Sequence, residues 1–225
     1  LVPCESLVHA VALLPELRSL ESLDAVELLL PDALDIACRH LRIAPPLPPS
    51  SAGAFVMVDC ASHRDPTDEL ATAVSDLRGV MAVGAQRDEL FRIRDHITIA
   101  INALGTPVKL DVAVPLDQLD ELVRRVDQVA ATTNASSIVF GHLAEGNLHV
   151  NLLNVRDQRD AATITEVVLG TAIELGGTIS AGLRPALATR VIHFFGAAAS
   201  STASTLISTL TSSPRTMPPA SRALL

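Results

Sequence analysis

His142, His149 and Asn151 fall in one short stretch, Gly141-His142-Leu143-Ala144-Glu145-Gly146-Asn147-Leu148-His149-Val150-Asn151. Apolar runs flank it, Ser137-Ile138-Val139-Phe140 before and 148–153 after. Gly141 and Gly146-Asn147 break a helix and Gly-Asn is turn chemistry, so the stretch reads as strand, tight loop, strand. Alternation with a period of two puts His149 and Asn151 on one face of the second strand and Leu148, Val150 and Leu152 on the other. Imidazoles at the loop mouth and in the partner strand can converge on one divalent metal, with Asn151 left to orient a ligand. Taken alone, the spacing favours the plainer reading of hydrogen-bonded structural histidines.

A second group lies upstream. Arg94 and Thr98 are four residues apart, on one face of a helix, and Lys109 is on the polar face of the next strand. An arginine can clamp a carboxylate with two parallel N–H bonds and a lysine adds a point charge, which together suit an anionic substrate. The competing reading pairs Arg94 with a surface acid and leaves Lys109 to the surroundings of Asp111.

These positions are presented by alternating elements. Residues 5–14 read as an apolar helix cut by Pro15, and 23–29 as a strand. Pro31 suits the first turn of a helix running to about Leu41. Pro45-Pro46-Leu47-Pro48-Pro49-Ser50-Ser51 is a stiff surface connection. Residues 54–60 read as a buried strand, Asp65-Pro66 as the cap of a helix to about Leu77, and 80–83 as a further strand. A long helix over 86–104 stops at Gly105 and Pro107. In 108–114, Val108, Leu110, Val112 and Val114 face away from Lys109 and Asp111. Pro115 opens a helix with Leu119, Leu122, Val123, Val126 and Val129 at helical spacing. After the histidine hairpin, 161–175 reads as a helix ended by Gly176-Gly177. A hairpin joining two strands directly points to an α+β fold, a mostly antiparallel sheet with helices packed on one face.

At 225 residues and 48% hydrophobic content the chain can bury a sizeable core. A net charge of -8 argues against a nucleic-acid surface, and the lack of Trp and Tyr removes the platforms on which bases stack. Cys4, Cys38 and Cys60 are odd in number and at no metal spacing, which suggests reduced, buried thiols. No integral membrane segment and no secretory signal is visible, so the expectation is a cytoplasmic protein. The start at Leu1, without Met, suggests a fragment or a gene model that lost its 5′ part.

The whole string Gly-His-x-x-x-Gly-Asn-Leu-His-x-Asn resembles the signature of the FAD-linked oxidase family, in its C-terminal domain. That group holds flavin-type D-lactate dehydrogenases, glycolate oxidase subunits and D-2-hydroxyglutarate dehydrogenases. The resemblance covers roughly 5–181 and implies a ferredoxin-like domain. It implies His142 and His149 as metal ligands, with Arg94, Thr98, Lys109 and Asn151 against the substrate. The divalent metal, zinc or manganese, would hold a small 2-hydroxy acid by hydroxyl and carboxylate and lower the hydroxyl pKa. Hydride would pass to FAD, giving the 2-oxo acid. Glu145 stands where the family usually carries Asp and reads as a turn acid only.

Two departures qualify this. After Gly-Gly-x-Ile-Ser-Ala the family has Glu-His-Gly, the third ligand and the catalytic base; here Gly182 and Leu183 occupy those positions. No catalytic residue is therefore expected in this chain. No Asp or Glu follows Glu174, and Ser, Thr, Ala and Pro dominate from Ala197 onward. The expectation is a frameshift near Ala181, with 1–181 as the family domain and 182–225 a non-native, disordered tail; a genuine Ser/Thr-rich extension is the alternative. The resemblance also implies a glycine-rich FAD-binding domain, expected to lie outside these 225 residues. Two further readings stay open: a non-catalytic fragment binding metal or carboxylate, and an unrelated metallohydrolase drawing on Asp111 or Glu145.

Overall fold

Alternating apolar and polar residues become strands wherever a neighbour completes their hydrogen bonds. The computed structural model describes residues 1–179. In order they form β1 (Val2–Cys4), α1 (Leu7–Ala12), α2 (Leu14–Leu17), β2 (Leu23–Leu29), α3 (Pro31–Leu41), β3 (Ala54–Cys60) and α4 (Thr67–Ala73). There follow α5 (Ala85–Leu104), β4 (Val108–Ala113), α6 (Leu119–Thr133), β5 (Ser136–His142), β6 (Asn147–Leu153), α7 (Gln158–Glu174) and β7 (Thr178–Ile179). The expectations for Gly182, Leu183 and the tail 182–225 lie outside the described residues.

The strands make one sheet in the order β1-β3-β2-β5-β6-β4-β7, and each neighbouring pair is antiparallel. A β-α-β-β-α-β succession, β4-α6-β5-β6-α7-β7, fills one half, and β2, β3 and β1 extend the sheet beyond β5. The α+β, antiparallel reading agrees with this. The helices, however, cover both faces rather than one. Leu29, Phe55, Met57, Ile138, Phe140 and Leu153 pack with buried residues of α3 and α5. Their neighbours on the opposite face, among them Leu28, Val56, Val150 and Leu152, are also fully buried, where α6 lies along β5 and α7 along β4. Both alternate sets of strand residues are apolar, so each face needs a cover.

Capping explains several boundaries. The Ser6 hydroxyl accepts from the His9 amide at 3.1 Å at the start of α1, and Asp157 accepts from the Arg159 and Asp160 amides at 2.8 and 2.9 Å at the start of α7. That cap starts α7 three residues before the expected 161. Helix α4 ends at Ala73, short of the expected Leu77. Residues 80–83 form no strand: Val80 exchanges two backbone bonds with Leu1, both 2.8 Å, while Met81 and Val83 are exposed. That apolar run lies between Gly79 and Gly84 and, among the described residues, pairs through Val80 with Leu1 alone.

Candidate functional site

The histidine hairpin folds as expected, β5 and β6 joined by a 3-10 turn at Leu143–Glu145. Two glycines permit it. A Cβ at Gly141 would lie on the Asn147 carbonyl oxygen, and Gly146 has φ +65° with its α-carbon facing the Val114 carbonyl. Arg18 holds the turn from outside, donating to the Ala144 carbonyl at 2.5 Å.

Register then places the polar side chains in three rows on the face that carries α3 and α5. Glu27 of β2 stands opposite His142. Phe140 stands opposite His149, and His149 opposite Asp111. Ile138 stands opposite Asn151, and Asn151 opposite Lys109. The two imidazoles meet on the diagonal between rows, ring centroids 5.5 Å apart and nearly perpendicular at 78°. Phe140 backs His149 at 5.0 Å.

Each imidazole is anchored through Nδ1 to a carboxylate. His142 Nδ1 is 2.7 Å from Glu27 Oε1, and His149 Nδ1 is 2.5 Å from Asp111 Oδ1. Glu27 is only 7% exposed, and its other oxygen accepts from Arg94 Nε and Nη2, both at 3.1 Å. Arg94, on α5, thus reaches the histidine pair through Glu27. The competing reading, Arg94 paired with a surface acid, is met only by Asp95 at 3.9 Å; the closer partner is the buried Glu27.

The remaining expected residues are placed less uniformly. Asn151 is buried and its amide donates to the Ile138 and His149 carbonyls at 3.4 and 3.3 Å. Lys109 is exposed and, among the described residues, makes no ion pair. Thr98 is exposed on α5, one turn beyond Arg94. Glu145 is exposed in the turn.

Among the described residues no group of three or more His, Cys, Asp or Glu side chains is arranged to hold a metal ion. The donor chemistry of His142 and His149 suits two ligands of such an ion, since a carboxylate on Nδ1 leaves Nε2 free. The third ligand that the resemblance expects falls at Gly182, beyond the described residues. A separate cleft of about 700 Å3 opens beside Asp59, Arg87 and Phe91 and takes in none of these residues. There Asp59 holds Arg87 through two bonds and raises its pKa, and the guanidinium stacks over the Phe91 ring at 4.6 Å.

Glu27 and the pairing of Asp111 with His149 were not singled out from sequence. The signal for Glu27 was there: an acid inside Val26-Glu27-Leu28-Leu29, where a buried strand has no use for an unpaired charge.

Comparison with known proteins gives a concordant result. The sequence model described as "FAD linked oxidases, C-terminal domain" matches residues 1–182. A probable mitochondrial D-2-hydroxyglutarate dehydrogenase of Oryza sativa subsp. indica is 27% identical over 193 residues, 80% of this chain and 34% of the relative. The mitochondrial D-2-hydroxyglutarate dehydrogenase of Danio rerio is 24% identical, covering 72% of this chain and 32% of its own. Glycolate oxidase subunit GlcD of Bacillus subtilis (strain 168) is 29% identical over 41% of this chain and 22% of its own. The chain spans about a third of the length of the D-2-hydroxyglutarate dehydrogenases just named. Among the described residues no helix is long and apolar enough to cross a membrane.

Proposed function

The chain belongs to the FAD-linked oxidase C-terminal domain family, and from that membership we propose that it is the substrate-binding part of an FAD-dependent oxidoreductase converting a D-2-hydroxy acid to the 2-oxo acid. The observation that carries this reading is the shared face of β4, β5 and β6. It presents two imidazoles, each with Nδ1 on a carboxylate, and, in the row beside His149, a lysine that makes no ion pair among the described residues.

FAD, when bound, would supply the hydride acceptor. The protein's task is to bind and orient the hydroxy acid. Lys109 offers a point charge to a substrate carboxylate. Arg94 spends Nε and one Nη2 proton on Glu27, and its Nη1, 3.9 Å from the exposed Asp95 carboxylate, would turn to a ligand. Thr98 and Asn151 would complete the lining of the substrate site. His142 and His149 would offer Nε2 donors to a divalent ion, zinc or manganese, which when bound polarises the substrate hydroxyl. Two protein donors are fewer than the three of catalytic zinc sites, so such binding is weak. With Gly182 and Leu183 where the family has its third ligand and base, this chain's residues support binding rather than turnover.

Calorimetric titration with D-2-hydroxyglutarate, D-lactate and glycolate in the presence of zinc tests the reading. We expect saturable binding that His149→Ala and Lys109→Ala each weaken at least tenfold. Equal affinity in all three proteins would reject it.

A further inference from the structure

Glu27 is a carboxylate inside a β-strand, with an apolar residue on either side and 7% of its surface exposed. Burial of this kind is strongly unfavourable unless partners replace the lost water. Here the partners come from two other elements. Oε1 faces His142 Nδ1 at 2.7 Å, across the β2–β5 pairing. Oε2 accepts two bonds from Arg94 of α5, both 3.1 Å.

The two sides of the carboxylate do different things. An arginine only donates, so Oε2 is committed to Arg94. The carboxylate has no proton to offer, so Nδ1 of His142 must donate to Oε1. In the neutral imidazole that leaves the Nε2 lone pair bare, with no partner among the described residues. His149, 5.5 Å away, is held the same way by Asp111. We propose that Glu27 is a positioning residue that locks His142 in the Nδ1–H form, with Nε2 free to bind, and couples that state to the seating of Arg94. Its consequence for ligands rests on the function proposed above; the tautomer itself does not.

Glu27→Gln makes the idea decidable. The variant keeps the shape of the side chain but has a single oxygen. Arg94 can use only that oxygen, so the amide NH2 turns to His142. Nδ1 must then accept, and the proton moves to Nε2. Long-range 1H–15N spectra of histidine-labelled protein, recorded without metal, read this directly. Wild-type His142 should carry its proton on Nδ1, and the variant on Nε2, while His149 stays unchanged in both. Zinc titration of the same samples should show affinity falling about 10- to 100-fold in the variant. A His142 that keeps Nδ1–H in folded Glu27→Gln overturns the proposal, as does wild-type His142 protonated on Nε2; the wild-type spectrum decides alone should the variant not fold. Inversion of the tautomer in a protein that binds no zinc even as wild type would uphold Glu27 and sink the metal reading instead.

Discussion

Glu27 and His142 face each other across β2 and β5 with Oε1 2.7 Å from Nδ1, joining positions 115 residues apart in sequence. Arg94 closes the same carboxylate from α5, 67 residues from Glu27. A helix, an inner strand and the histidine hairpin therefore share one hydrogen-bonded network centred on the Glu27 carboxylate.

Removing Arg94 leaves the buried Glu27 carboxylate short of its cation, and removing Glu27 strands a half-buried Arg94. Glu27→Ala and Arg94→Ala should each lower stability by about 3–5 kcal/mol in urea unfolding. The double variant should cost less than the sum of the two, because the second change removes a charge already stranded by the first. Strict additivity would mean that the pair contributes nothing jointly.

Gly141→Ala places a methyl group against the Asn147 carbonyl at the mouth of the hairpin. Thermal unfolding should show a loss of about 1–3 kcal/mol from overpacking. An unchanged melting temperature would show that the strands separate there at little cost.

Much of this fold was legible in the sequence because its signals are local. Strands 23–29 and 54–60 and the start of α3 at Pro31 follow from alternation and turn chemistry read over a few residues. The histidines' side of the sheet was legible too, since a period of two assigns each residue a face. What could not be read is pairing at a distance. Residues 80–83 look like a strand but lack a full partner, and nothing in those four residues records that. Glu27 looks like an interruption until Arg94 and His142 stand beside it. The helices' use of both faces depends on strand order, which alternation leaves open.

Burial pushes the Cys4 and Cys38 thiols up to about 11, with Asp35 adding to the effect at Cys38. Iodoacetamide at pH 8 should label both at least ~100-fold more slowly in native protein than in urea, following the loss of thiolate. Below pH 9 the two thiols are protonated in both states and stability is unaffected. Between 9 and 11 the unfolded chain releases protons that the folded one keeps, so stability should fall as pH rises through that window. Rapid native labelling would contradict this.

On the proposed function, the 225-residue chain given FAD and zinc should not reduce a dye with D-lactate or D-2-hydroxyglutarate, since the resemblance puts Leu183 at the position expected for the base. Flavin-dependent dye reduction would show that another group takes the hydroxyl proton.

On the proposed function, one face of β4, β5 and β6 binds a 2-hydroxy acid. Residue-resolved NMR of the labelled chain, titrated with D-2-hydroxyglutarate in the presence of zinc, tests it most directly. The largest shift changes should fall on His142, His149, Asn151 and Lys109, with Arg94 following. Changes confined to the cleft around Asp59 and Phe91, or none at millimolar ligand, would contradict it.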